Sequence, residues 1–496
     1  MAFQPDFEEF KQLFESFDAV PVAQAILADD LTPVSAFHRI DSGEDGCLFE
    51  SVIGGEQVGR YSFLASGPYQ QISAFENSVT ITVNGQQKTI ESDNPLESLR
   101  ELIQKIQVAP ADSLPPFRGG AVGFASYDIV RYVEHLPNTP HDDREIPDLS
   151  FVFYDRILVF DHILKRLFII VLVWTDKFDS PELAFADAKK RIDATVQQLE
   201  RPVTTSASSV LPEHVEPIEY QSNLTQEQYC QAVEDCVEYI KAGDIFQVVL
   251  SQRLSVEAEL DSFEIYRSLR ALNPSPFMFF LRSGEVTLVG ASPEIMCRVM
   301  DGQVTVRPLA GTRPRGKTEA ADKALEQELL ADQKERAEHT MLVDLGRNDV
   351  GKIATFGSVE LVDPFSIERY SHVMHISSTV FGKLKEDLDA FDAMMACHPA
   401  GTVSGAPKVR AMEIIDEFEP HKRGPYAGAV GYIDHSGNMD TCIALRTIVI
   451  KNGIAHVQAG AGVVADSQPL SEYQETLNKA KALLHAIAVT KARLST

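Results

Sequence analysis

The 496-residue chain is poor in three things, and each shortage excludes something. Its six cysteines, Cys47, Cys230, Cys236, Cys297, Cys397 and Cys442, are scattered without a Cys-x-x-Cys pair or a Cys/His ligand spacing, so neither a disulfide framework nor a structural zinc site is expected. Cys397 beside His398 reads as a buried, inert thiol next to a loop histidine, not as a nucleophile. Basic residues are short as well: 45 Lys+Arg stand against 72 Asp+Glu, a formal charge of -27. Such a surface repels phosphate backbones and anionic lipid, which removes nucleic acid and membranes as default partners and demands a local exception for any anionic substrate. Long apolar runs are missing too. The longest, Leu167 to Trp174, falls far below the roughly 20 residues that span a bilayer, and the opening MAFQPDFEEFKQLF is acidic with no apolar h-region. A cytoplasmic protein is expected.

What is present is an ordinary globular composition, 44% hydrophobic and 24% charged, with length for about three domains at roughly 150 residues each. The most loop-like stretch lies between Pro202 and Pro217, after an amphipathic helical pattern at Pro181 to Glu200. It divides the chain into an N-terminal part, 1–201, a linker, 202–217, and a C-terminal part, 218–496. Upstream, Ser78 to Val83 and Arg156 to Trp174 are strand-like, with turns at Asn84-Gly85 and Gly119-Gly120. Downstream, Thr225 and Gln228 form a capping box for a helix ending at Ala242, with Gly243 as its C-terminal cap. A strand then starts near Ile245, with Gln247, Val249, Ser251 and Arg253 on one face and Phe246, Val248 and Leu250 on the other. From Gly428 to Val464 the pattern is an antiparallel meander, in whose middle strand Asp440, Cys442, Ala444 and Arg446 share a face. Gly460 and Gly462 share a face of the next strand, where a missing side chain lets another group approach the backbone.

Two Glu-x-x-Glu pairs carry the candidate chemistry: Glu335 with Glu338, and Glu472 with Glu475, both in helical contexts. A spacing of three sets each pair on one helix face, where like charges repel. Either pair alone is an ordinary solvated acidic face; converging, the two could hold Mg²⁺, a hard cation that keeps several waters and engages substrate oxygens. Arg313 and Arg315 in PLAGTRPRG, Lys408 in HPAGTVSGAPK and Arg446 supply basic groups nearby. Gly401 to Lys408 lacks the spacing and final Ser/Thr of a Walker motif, which excludes a nucleotide-phosphate loop. His375, on a strand-like run, is a natural proton carrier, although a histidine there is more often a satisfied core residue.

ASPEIM, PLAGTRPRG, EHTMLVDLGRNDVGK, HPAGTVSGAPK, RGPYAGAVGY, TCIALRT and AGAGVVADS followed by EYQET closely resemble, in order, the chorismate-utilising enzymes, and among them the large components of anthranilate synthases. The resemblance covers Thr225 to Leu494, and CLFESV and GRYSFLASGP extend it upstream. It implies an α+β fold of two antiparallel β-sheets packed face to face with helices outside, so that the Pro-rich boundary separates interlocked subdomains. It also implies Mg²⁺ held by Glu338 and Glu475, with Glu335 and Glu472 acting through metal-bound waters. By the same resemblance Arg446 and Tyr426 take the enolpyruvyl carboxylate of chorismate, Gly460 and Gly462 lend backbone contact, and Thr312, Thr402 and, more weakly, Lys408 and Lys479 contact substrate. Glu294 matches the general acid for loss of the C4 hydroxyl, and His375 the group assisting removal of the C2 proton. Gln247 stands where isochorismate and salicylate synthases carry a water-activating lysine, and Ala310 stands where some aminodeoxychorismate synthases carry a nucleophilic one.

The resemblance further implies feedback inhibition by tryptophan at Glu50, Ser51, Pro276, Met278, Val430 and Tyr432. No glutaminase module is visible in the chain, so ammonia is expected from a separate glutamine amidotransferase subunit, in a complex of two copies of each subunit. An aminodeoxychorismate synthase component and a catalytically silent tryptophan-binding regulatory subunit are the alternative functions.

Overall fold

The computed structural model describes residues 3–50, 59–202, 211–212, 215–370 and 373–495. Local signals set most of its elements. Thr225 and Gln228 close a reciprocal capping box on the helix Gln226–Ala242, and Gly243 ends that helix in the left-handed conformation, φ 87°. The helix Pro181–Leu199 starts on Ser180 with proline in its first turn. Asp332 caps Gln333–Ile353, its side chain accepting from the N–H groups of Lys334 and Glu335. The strand after Gly243 begins only at Gln247. Phe246 therefore does not join Val248 and Leu250 in the core as its alternation suggested: it precedes the pleat and the residue is 73% exposed.

Among the described residues the strands form two antiparallel sheets, of thirteen and twelve strands. In the first, Gly46–Glu50 pairs with Phe277–Ser283; in the second, Gly120–Ala125 pairs with Ala429–Asp434. Both sheets thus take strands from either side of the linker. Alternation along each strand divides the core into layers. Cys47, Phe279, Leu281, Phe124, Val430 and Cys442 fill the space between the sheets. Outward-facing residues of the first sheet pack on helices such as Ser262–Leu272 and Pro469–Leu494. Those of the second pack on Pro95–Gln104, Gln333–Ile353 and Ala390–Cys397. Each large apolar side chain so buried stabilises the fold by roughly 1.5–3 kcal/mol. The fit is close: a Cβ on Gly290 would lie 2.0 Å from the Phe279 ring. Among the described residues no helix is long and apolar enough to cross a membrane.

Two connections pass from one sheet to the other side by side. Val286–Ser292 in the first sheet continues through Pro293-Glu294 into Ile295–Met300 of the second. Met439–Ile443 of the second continues through Ala444 to Arg446 into Thr447–Lys451 of the first. The expected meander is therefore two hairpins in different sheets. Arg446 does not share a strand face with Asp440, because the strand ends at Ile443; Asp440 instead pairs with Arg298 at 2.9 Å. The two crossings are tied together: Ile443 N–H donates to Glu294 O and Ala291 N–H to Arg446 O, both at 3.0 Å. Where they part, a gap opens between the sheets.

Candidate active site

That gap is a cavity of about 590 Å³, roofed by the N-terminal turns of Gln333–Ile353 and Pro469–Leu494. Gln247, Glu294, Thr312, Glu335, Glu338, His375, Thr402, Tyr426, Arg446, Gly460, Gly462, Glu472, Glu475 and Lys479 all line it. Residues separated by more than 200 positions in the chain are thus brought to one place. Larger in volume, at about 890 Å³, is a groove along Val215 to Gln221, but it gathers no comparable set of acids, bases and cations.

Glu294 sits on one crossing and is buried. Loss of water pushes its carboxyl up to about 8, against the opposing effects of the Thr402 hydroxyl and the Leu309 N–H. It is therefore mostly protonated at neutral pH. Arg446 sits on the other crossing with φ 48°, a left-handed conformation that costs roughly 1–3 kcal/mol in a non-glycine residue. That backbone turn swings its guanidinium into the cavity instead of onto a sheet face. Burial holds Arg446 below its ordinary value, with the charges of Tyr370 and Glu294 opposing, and among the described residues no carboxylate forms an ion pair with it. A half-buried cation with no carboxylate partner, lining a cavity, is an anion site in waiting.

His375 lies on Val373–Lys383 with its Nδ1 2.9 Å from the Gly311 carbonyl and 3.1 Å from the Thr312 hydroxyl. A carbonyl only accepts, so Nδ1 carries the proton and Nε2 keeps its lone pair. Nε2 is buried with no hydrogen-bond partner, and burial lowers the imidazole to about 4. The ring is thus neutral at pH 7, with an unpaired nitrogen lone pair in the cavity wall.

The two Glu-x-x-Glu pairs face each other from their helices. Burial raises Glu338 first, and the negative charges of Glu335 and Glu475 raise it further. Glu472 is likewise raised, by burial and by Glu475. Part of this charge is met by cations: Arg313 reaches Glu335 at 3.2 Å, and Lys479 reaches Glu475 at 2.8 Å while donating to Gly460 O at 2.9 Å. Among the described residues no three acidic, His or Cys side chains are yet gathered as a closed metal cluster. The donor set is all carboxylate oxygen, and a crowded, half-buried acidic group of this kind suits a hard cation that keeps its own waters. Gln247 Nε2 stands 3.5 Å from Glu338 Oε1, and the Gln247 carbonyl is buried without a partner. A Cβ on Gly462 would lie 2.6 Å from Gln247 Nε2, and one on Gly460 would lie 2.8 Å from both Leu250 O and the Tyr426 hydroxyl. Close approach of the Leu250 backbone requires glycine at 460, whereas at 462 the flexible Gln247 amide would have to move aside.

Two expected basic groups serve elsewhere, and a third is shared. Lys408 turns away from the cavity to pair with Asp349 at 2.8 Å, Arg315 holds Asp322 at 2.8 Å, and Arg313 spends most of its donors on Glu328 and Asp332. Gln458, two residues before Gly460 on the same strand, and Lys334 also line the cavity. The period of two could have identified Gln458.

The residues expected to bind tryptophan occupy two layers. Glu50 and Met278 are paired in register and face the helices, where Glu50 accepts from Arg270 Nε at 2.6 Å, from Arg270 Nη2 at 2.9 Å and from the Tyr266 hydroxyl. Pro276 is buried just before that strand. Val430 and Tyr432 lie between the sheets, the Tyr432 ring 4.5 Å from that of Phe117. Ser51 lies outside the described residues.

The fold and cavity define a class, and the family comparison agrees: residues 52–485 match the chorismate binding enzyme model, and the chain belongs to that family. It is 47% identical to anthranilate synthase component 1 of Acetivibrio thermocellus over 98% of both chains. It is 45% identical to that of Pseudomonas aeruginosa, covering 98% of this chain and 99% of the relative. The crystal structure of anthranilate synthase component I from Streptococcus pneumoniae superposes with a TM-score of 0.77 at 38% identity, over 92% of this chain and 99% of that one.

Proposed function

We propose that the chain aminates chorismate at C2, with loss of the C4 hydroxyl, and then eliminates pyruvate to give anthranilate, the entry reaction to tryptophan. The observation that carries this reading is the pairing, across one cavity, of a buried acid protonated at neutral pH, Glu294, with a half-buried guanidinium that lacks an ion pair among the described residues, Arg446. An acid is needed to expel hydroxide from C4, and Glu294 holds its proton at the pH of the reaction. Arg446 and the Tyr426 hydroxyl take the enolpyruvyl carboxylate by charge-assisted hydrogen bonds. Thr312, Thr402 and the Gly460–Gly462 backbone position the ring. His375, neutral with Nε2 free, accepts the C2 proton as pyruvate leaves and the ring becomes aromatic.

The carboxylates fit Mg²⁺, with Glu338 and Glu475 as the holding pair and Glu335 and Glu472 acting through water. When bound, the ion would neutralise the ring carboxylate of chorismate and favour electron withdrawal from the ring. Gln247 is a neutral amide and cannot activate water as a lysine would, and Ala310 offers no nucleophilic amine; both favour ammonia as the group that adds. The ammonia is supplied by a separate glutaminase component, two copies of each subunit forming the complex. Tryptophan binds near Glu50 and restrains the reaction.

The test is one turnover assay. The isolated chain, given chorismate, Mg²⁺ and ammonium at mildly alkaline pH, forms a fluorescent product with the mass of anthranilate, plus pyruvate. A product that keeps the enolpyruvyl group, a 4-aminated product, or tryptophan binding without any turnover would each overturn the reading.

A further inference from the structure

Behind the cavity wall lies a charged pair that nothing above uses. Arg423 Nε and Nη2 donate to the two oxygens of Glu419 at 2.8 and 2.6 Å, and the side chains are only 1% and 4% exposed. The guanidinium is spent in several directions. Nη1 donates to Val403 O and Nη2 to Val249 O, each at 2.7 Å. Its plane is flanked by aromatic rings, Cζ standing 4.8 Å from the Tyr127 centroid and 5.5 Å from that of Tyr426. Glu419 in turn accepts from Ser251 N and Oγ at 2.8 Å, and Ser251 Oγ accepts from Gln458 Nε2 at 2.8 Å. Val249, Val403, Tyr426 and Gln458 all line the cavity.

Packing alone does not call for this arrangement, because a buried ion pair is often replaced by apolar side chains of equal volume at no loss of stability. What an apolar replacement cannot do is hold two carbonyls, a carboxylate and a ring in one fixed plane. We propose that Arg423, held by Glu419, is a positioning residue for the amination. It locks the turn carrying Thr402, the strand carrying Gln247 and the Tyr426 ring into one register, and so places their polar groups against the substrate. This rests on the reading that the cavity turns over chorismate.

The experiment uses the full chain, with chorismate, Mg²⁺ and ammonium, and reads kcat and KM separately alongside circular dichroism and thermal midpoints. The double variant R423M/E419Q removes both charges and keeps the volume, and glutamine still accepts from Ser251. It is expected to fold and to raise KM for chorismate, lowering kcat/KM about 10–100-fold, as misplacement of a substrate contact by about 1 Å would do. A merely structural role would reduce the active fraction, lowering kcat with KM unchanged, and that result overturns the proposal. R423K keeps the ion pair but lacks the planar fork; it is expected to fold and to recover part of the lost kcat/KM. Should the double variant fail to fold, R423K alone decides: a KM equal to that of the wild type overturns the proposal. Absence of turnover by the wild-type chain would instead bring down the chorismate reading beneath it.

Discussion

Replacing Glu294 by glutamine separates a buried neutral acid from an ordinary carboxylate. The folded chain holds the Glu294 proton up to about 8, whereas an unfolded chain releases it near its ordinary value of 4.5. Between those values the native state binds more protons, so the stability that Glu294 supports is fully present below about pH 4.5 and is lost as pH rises to about 8. At 1.36 kcal/mol per tenfold change in proton concentration, the loss reaches roughly 5 kcal/mol. Glutamine has the same shape and cannot ionise. Glu294→Gln should therefore match the wild type near the acidic end and become progressively more stable than it up to about pH 8, by as much as roughly 5 kcal/mol. Urea unfolding of both proteins without added metal, across that range, reads the difference directly. The same substitution should cost about 10²–10⁴ in turnover, and wild-type kcat/KM should fall as pH rises through about 8, where the acid ionises. A stability difference that does not vary with pH, or a variant with normal turnover, would refute the assignment.

The remaining predictions concern the cation, the substrate wall and regulation. Mg²⁺ at about 100 times its dissociation constant should stabilise the wild type by about 2.7 kcal/mol, and Glu338→Gln should abolish both that increment and turnover, as read by thermal shift and product fluorescence. Gly460→Ala drives a Cβ to 2.8 Å from Leu250 O and the Tyr426 hydroxyl, so it should cost about 1–3 kcal/mol and raise KM for chorismate; unchanged KM would contradict the close approach. Glu50→Ala leaves the Tyr266 hydroxyl and Arg270 without their acceptor, which should cost about 1–3 kcal/mol and remove inhibition by tryptophan while kcat is retained.

How much of this was legible beforehand depends on the range of the interaction. The Thr225–Gln228 box, the Gly243 cap and the equal facing of Glu335 with Glu338 follow from spacing within a single turn, and the structure has them as expected. The position of Arg446 was not legible, because alternation assumes that a strand continues, and the change of sheet at Ala444 is a tertiary event without a turn signal. The placement of Phe246 fails for the same reason: the pleat starts at Gln247, two residues after the apolar pattern begins at Ile245. Glu419 and Arg423 are four apart, the spacing of an ordinary surface pair; only the tertiary packing, with Tyr127 and Tyr426 against the guanidinium, buries them. The roles proposed for Glu294 and His375 rest on resemblance; what burial adds is the protonation state, raising Glu294 so that it keeps its proton and lowering His375 so that its ring stays neutral.

The most direct test is a crystal structure of the Glu294→Gln variant soaked with chorismate and Mn²⁺ in place of Mg²⁺. The account requires anomalous density for one cation between Glu338 and Glu475, with the ring beside residue 294 and the enolpyruvyl carboxylate on Arg446. A cation or substrate bound elsewhere, with Arg446 left unengaged, would contradict it.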